Sequence, residues 1–119
     1  MSLKVIIFSR VSTLAQDYQR QTNELLEYAE KMGYSVEKVF EEKQSGKNTD
    51  RVALQEMIAF VRDGDEVVVW SIDRLARNLL DLQSIIKQLN DKGVSITFIK
   101  EKLSFSGGDD AFARLQLHL

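Results

Sequence analysis

The sequence predicts an α/β domain, with three layers (α/β/α) around a mostly parallel central sheet of about four to five strands. Three observations carry that reading. Short β-branched runs alternate with helix-spaced segments four times along 119 residues. Gly33, Gly64 and Gly93 stand where three of the helical segments end, a place that favours a left-handed residue. The run Val67-Val68-Val69-Trp70 is near-continuously apolar, as a strand at the buried centre of a parallel sheet is.

Each element follows from its local pattern. Residues 4–9 form a β-branched and aromatic run, read as a buried strand. Residues 13–32 change to helical spacing, with Tyr18, Leu25, Leu26, Ala29 and Met32 on the apolar face and Ser12 or Thr13 as the N-cap. Residues 34–41 are the second strand, followed by a polar stretch over 42–49. Thr49 or Asp50 then caps a helix whose face is Ala53, Leu54, Met57, Ile58 and Val61, stopped by Gly64. Residues 66–71 are the third strand. A helix over 78–91 buries Leu82, Ile85, Ile86 and Leu89, and 94–99 is the fourth strand. A polar loop over 104–110 leads into a last helix from about Asp109, which ends in mid-pattern at Leu119. That ending predicts a chain cut from a longer protein. Residues 1–3 precede the first element and fit an expression scar.

Composition bounds the function. At 44% apolar, one domain over residues 1–119 can bury a single core. No stretch approaches the ~18 apolar residues of a membrane span, and residues 5–8 are not followed by a small-residue cleavage site. The expectation is a soluble, cytoplasmic protein. With no cysteine, thiolate nucleophiles, disulfides and Cys-based zinc sites are excluded. The single histidine, His118, leaves a Ser-His-Asp triad almost without a base. A net charge of −2 argues against a dedicated DNA-binding module unless positive charge is concentrated in one place.

It is concentrated. Arg20, Arg62 and Arg114 fall within predicted helices and read as solvated surface. Arg10 directly follows the first strand, Arg51 opens the helix after the second, and Arg74 and Arg77 lie in the turn after the third. In an open parallel sheet, ligands bind outside the carboxyl ends of the strands. All four arginines therefore fall on the ligand edge, where helix N-termini add amides that favour anions. Arginine's planar fork suits phosphate. The competing structural reading is that these arginines form ion pairs with Asp50, Asp73 and Glu42. Ser12 follows Arg10 by two residues on the same edge. Alone it reads as a helix cap; beside four phosphate-binding groups it has the make-up of phosphoryl transfer.

These residues match a known family. Phe8-Ser9-Arg10-Val11-Ser12-Thr13 resembles the Y-x-R-V-S-T signature of the serine site-specific recombinases of the resolvase/invertase family, with Gln16 and Gln21 at the family's spacing. Ser45-Gly46 and Asp50-Arg51 resemble its S-G…R segment. Gly64-Asp65 with Trp70-Ser71-Ile72-Asp73-Arg74-Leu75-Ala76-Arg77 resembles its G-D…L-D-R-L-x-R block, and Gly93-Val94 to Glu101 its G-v-x-f-x-x-x-x-E stretch. Ser9, Phe8 and Val52 depart from the family's usual alanine, tyrosine and proline. The resemblance covers nearly the whole chain from Lys4 and implies a resolvase-type catalytic domain.

The resemblance implies site-specific DNA recombination: Ser12 attacks a DNA phosphodiester, leaving a 5′-phosphoserine link and a free 3′-hydroxyl that later reseals the backbone. Arg10, Arg51, Arg74 and Arg77 would hold the phosphate, Ser45 would contact it, Asp73 would orient an arginine or assist proton transfer, and Gln21 would support the site. Neither a metal nor a small-molecule cofactor is implied. The partners would be double-stranded DNA and further copies of the chain, as dimer and tetramer, in a cytoplasmic protein at the nucleoid. The family's long dimerising helix and C-terminal helix-turn-helix domain would follow residues 1–119. The remaining possibilities are a flavodoxin-like binding or signalling module without catalysis, which would not need five such residues on one rim, and a metal-dependent nuclease, which would need convergent carboxylates where the motif supplies only Asp73. A P-loop enzyme is excluded because Gly46-Lys47 lacks the upstream glycine, Glu41 standing in its place.

Overall fold

The structure is a computed structural model that describes residues 3–12, 20–44 and 51–106. The cap expected at Thr13, Gln16, Ser45, Gly46, Thr49, Asp50, Arg114, His118 and the final helix from Asp109 lie outside the described residues. Five strands form one sheet: β1 (Lys4–Ser12), β2 (Ser35–Gln44), β3 (Glu66–Val69), β4 (Ser95–Phe98) and β5 (Leu103–Phe105), in the order β2-β1-β3-β4-β5. The first four run parallel, and β5 pairs antiparallel to β4. Three helices connect them: α1 (Arg20–Lys31), α2 (Val52–Phe60) and α3 (Leu79–Asp91).

The two-residue period of β1 divides the core. Val5 and Ile7 pack with Leu25 and Ala29 of α1, whereas Ile6 and Phe8 pack with Leu54 and Met57 of α2 and with Leu82, Ile85, Ile86 and Leu89 of α3. One helix therefore covers one face of the sheet and two cover the other, giving the three expected layers. The helix faces are spaced for it: Thr22, Leu25 and Ala29 on α1, and Leu82, Ile85, Ile86 and Leu89 on α3, recur at three- and four-residue intervals. On the α2/α3 side, Phe98 and Phe105 meet edge-to-face with centroids 6.2 Å apart, which seats the short edge strand on the core.

Several boundaries differ from expectation. Ser12 closes β1, its backbone in register with Gln44, so the first strand runs three residues past the expected end at residue 9; the first described helical residue is Arg20. The strand β2 runs on through Glu42, Lys43 and Gln44, which the polar composition had suggested was loop. Parallel pairing with β1 needs only backbone groups, so charged side chains do not end it. The helix α2 ends at Phe60 with Val61 extended, and Gly64 (φ 91°) instead turns the chain into β3. Leu103–Phe105 forms β5, which takes in Ser104 and Phe105 from the start of the expected polar loop. Asn78 is the N-cap of α3, its side chain accepting from Asp81 N at 2.8 Å.

The sheet also shapes the ligand edge. Pairing of β1 with β3 stops at Phe8–Val69, while pairing with β2 continues to Ser12–Gln44. Above β3 the chain turns away through Ser71 and a 3-10 turn, Ile72–Arg74. The strand order reverses at β1, so the gap between the end of β1 and this turn is the crevice in which open α/β sheets bind ligands.

Candidate active site

Each side of this crevice contributes part of one hydrogen-bonded network. From β1, Arg10 extends Nη1 to within 3.5 Å of the Asp73 carbonyl, tying the strand to the turn. From α1, Gln21 bridges the two. With its amide oriented so that nitrogen meets acceptors and oxygen meets donors, Nε2 donates to the Arg10 carbonyl (2.5 Å). Its Oε1 accepts from Arg74 Nη2 (2.9 Å) and from Arg74 Nη1. Beneath them Thr22 lies within 2.9 Å of the buried Ser9 hydroxyl and donates to Glu41 Oε2 at 2.6 Å. This sets the first turn of α1 against the ends of β1 and β2.

The turn itself is stiffened. The Ser71 hydroxyl, buried, donates to Asp73 Oδ1 in a short hydrogen bond. Both carboxylate oxygens of Glu101 accept from the Ile72 amide, at 3.3 and 3.2 Å. The Ser71 hydrogen bond holds the Asp73 carboxyl below the usual carboxylate range; partial burial opposes it, and the charges of Arg74 and Lys100 add to it. The folded state thus favours the ionised form. Its contribution to stability is present above the ordinary aspartate value and lost as pH falls through the lowered one. In a carboxyl-detected NMR titration, Asp73 is expected to have a midpoint below that of an unperturbed aspartate, and Ser71→Ala should raise it. A midpoint unmoved by Ser71→Ala would contradict this assignment.

The second part of the rim is built around Asp81. Arg51 occupies the N-cap position of α2 in the left-handed region (φ 52°, ψ 45°) and makes no side-chain cap. The cap comes from β2 instead: Glu42 Oε2 accepts from Ala53 N at 3.0 Å, and Glu42 Oε1 is buried without a partner among the described residues. The Arg51 side chain reaches across to α3. Its Nη1 donates to Asp81 Oδ1 (3.0 Å) and Oδ2 (2.8 Å), and Nη2 donates to the Leu75 carbonyl (2.5 Å). The same Asp81 Oδ2 accepts from Arg77 N at 2.8 Å.

Arg10, Gln21, Arg51, Asp73, Arg74 and Arg77 are therefore joined through the segment 71–77 at the carboxyl edge of the sheet. Ser12 is placed there by the backbone of β1, and Ser45 lies outside the described residues. Of the acids weighed as partners for these arginines, Asp50 lies outside the described residues; Arg10 meets the Asp73 carbonyl rather than its carboxylate, and Arg51 pairs with Asp81. Asp81 and Thr22 were not among the residues singled out, and Glu42 was weighed as an ion-pair partner rather than as the helix cap it provides. Only Asp81 carried a sequence signal, as an acid three residues after the Asn78 cap. Among the described residues no group of three or more His, Asp or Glu side chains could hold a metal ion, and no helix is long and apolar enough to cross a membrane.

The fold and this rim define an α/β domain in which the strand end carrying Ser12 lies at the same sheet edge as an arginine-rich turn. The chain belongs to the resolvase family: the family model described as "Resolvase, N terminal domain" matches residues 5–119. It is 46% identical over 110 residues to the Transposon Tn21 resolvase of Escherichia coli, covering 92% of this chain and 54% of that protein. The chain thus spans about half the length of the curated relatives it matches. Among solved structures it is similar to the C-terminal catalytic domain of ISC1926 TnpA, an IS607-like serine recombinase. There the identity is 33% and the TM-score 0.70, covering 82% of this chain and 69% of the other. A resolvase family site-specific recombinase from Streptococcus pneumoniae shares the fold with a TM-score of 0.76 at 24% identity, over 98% of this chain and 89% of that one.

Proposed function

We propose that this domain cleaves and rejoins DNA strands in site-specific recombination, with Ser12 as the nucleophile. In the step we assign to it, the Ser12 Oγ–phosphorus bond forms as the bond from phosphorus to the 3′ oxygen of the neighbouring nucleotide breaks. The serine proton is given up and the leaving 3′ oxygen is protonated. The product is a 5′-phosphoserine ester and a free 3′-hydroxyl, and the reverse attack reseals the backbone without an external energy source. Arg10, Arg51, Arg74 and Arg77 bind the phosphate and stabilise the charge that develops on it. Asp73 holds the turn, Gln21 couples Arg10 to Arg74, and Ser45 contributes a phosphate contact. The intact protein acts on double-stranded DNA as a dimer or tetramer, in the cytoplasm at the nucleoid.

One observation carries this reading. Gln21, Arg10 and Arg74 form a single network across the crevice at which the backbone of β1 delivers Ser12. A binding or signalling module has no need of that convergence, and phosphoryl transfer depends on positioning and charge stabilisation of this kind.

The test is the polarity of the covalent product. The intact recombinase, denatured during reaction with nicked site DNA, is expected to be attached to the 5′-phosphate side of the break in EDTA as readily as in Mg²⁺. Attachment through a 3′-phosphate, or cleavage that stops in EDTA and returns with Mg²⁺, would overturn the proposal in favour of a tyrosine-type or metal-dependent mechanism.

A further inference from the structure

We propose, resting on the functional reading above, that Asp81 is a positioning residue that aims Arg51 at the DNA phosphate. Arg51 starts from an awkward place. It stands outside the helix it precedes, in a left-handed conformation, and its side chain spans to another helix thirty residues on. A long side chain launched from such a position keeps many rotamers open unless something fixes its far end. Here both ends of the guanidinium fork are fixed: Nη1 on the two Asp81 oxygens and Nη2 on the Leu75 carbonyl. Two anchors on a planar group set its orientation as well as its location.

Asp81 is itself held. It lies in the first turn of α3, its amide donates to the Asn78 cap, and its Oδ2 accepts from the Arg77 amide as well as from Arg51. The Arg51 and Asp81 side chains are only 21% and 23% exposed, so the pair is sheltered from the screening that weakens surface ion pairs. Leu75 directly follows Arg74, so the same contacts that aim Arg51 also lock the α2 side of the site to the turn carrying the other arginines. One negative charge placed behind Arg51 further offsets repulsion among four guanidiniums that must face one anion. A purely structural alternative exists, since an acid in the first turn of a helix stabilises that helix through its dipole. The two roles separate experimentally.

The readout is the single-turnover rate of covalent adduct formation by the intact recombinase at saturating DNA, with melting temperature measured alongside. Asp81→Ala is expected to slow the chemical step by roughly 10- to 100-fold, the scale seen when outer partners of functional groups are removed. The half-saturating DNA concentration should change far less. In an Arg51→Ala background the same substitution should slow cleavage no further, because a residue acting through Arg51 has nothing left to position. Asp81→Asn keeps the shape and one acceptor oxygen; it should restore part of the rate, and it decides the matter if Asp81→Ala does not fold. Additive slowing in the double variant, or a wild-type rate in the Asp81 variants whatever their melting temperature, overturns the proposal. If the wild type forms an adduct whose rate ignores Asp81, this inference alone fails. If the wild type forms no 5′ adduct, the functional reading fails and takes this inference with it.

Discussion

Ser12→Ala in the intact recombinase is expected to abolish covalent attachment to DNA while leaving the domain folded. The two halves of that outcome have separate physical grounds. Ser12 contributes to the fold through its backbone, at the last rung of the β1–β2 ladder opposite Gln44, and alanine preserves that pairing. Strand-propensity differences span only ~1 kcal/mol, against a typical domain stability of ~5–15 kcal/mol, so circular dichroism and melting should change little. The chemistry has no such reserve. With no cysteine anywhere in the chain, no thiolate can take over from the serine, and a neighbouring hydroxyl that did so would leave the adduct intact in the Ser12→Ala variant. The measurement is capture of protein on 5′- and 3′-labelled nicked DNA under denaturing conditions. A Ser12→Ala variant that still forms the adduct would assign the nucleophile elsewhere.

What the sequence revealed, and what it hid, follows from the range of the forces involved. Helix faces such as Leu82, Ile85, Ile86 and Leu89 were legible because a 3.6-residue period is local and sets burial directly. The side of the sheet on which Arg10, Arg51, Arg74 and Arg77 lie was legible because alternating strands and helices in a parallel sheet place every strand-to-helix turn at the same edge. Strand ends were less so. Glu42, Lys43 and Gln44 have the composition of a loop, and only their pairing with the far end of β1, about thirty residues earlier in the chain, makes them strand. The strand β5 is three residues long and owes its existence to β4 beside it and to Phe98 beneath Phe105. The partners of the arginines were the least legible. Local acids such as Asp50 and Glu42 look like natural counter-ions for Arg51. The fold instead brings Asp81 to it from α3 and spends Glu42 on the amide of Ala53. An ion pair of that kind is decided by tertiary packing, and no periodicity announces it.

The second large effect concerns Arg74. Its guanidinium is the acceptor-bound end of the bridge that runs through Gln21 to the Arg10 carbonyl, and its charge helps hold Asp73 ionised. Arg74→Ala therefore removes a phosphate-binding charge and releases Gln21 from its orienting contact at once. Loss of one charge-stabilising donor in comparable oxyanion sites costs roughly 10²–10³ in rate, or about 2.7–4 kcal/mol, and the single-turnover adduct rate of Arg74→Ala is expected to fall in that range. The fold should survive, because the 3-10 turn is held by the backbone bonds from Arg74 N to Ser71 O and from Leu75 N to Ile72 O, which alanine keeps. Arg74→Lys restores the charge without the fork and should recover only part of the rate, since an ammonium cannot engage Gln21 and a phosphate with fixed geometry. Gln21→Ala, which loosens the bridge but leaves all four guanidiniums, should be the mildest of the three. A wild-type rate for Arg74→Ala would remove Arg74 from the site, and full recovery by Arg74→Lys would show that charge alone, without the planar geometry set by Gln21, carries its role.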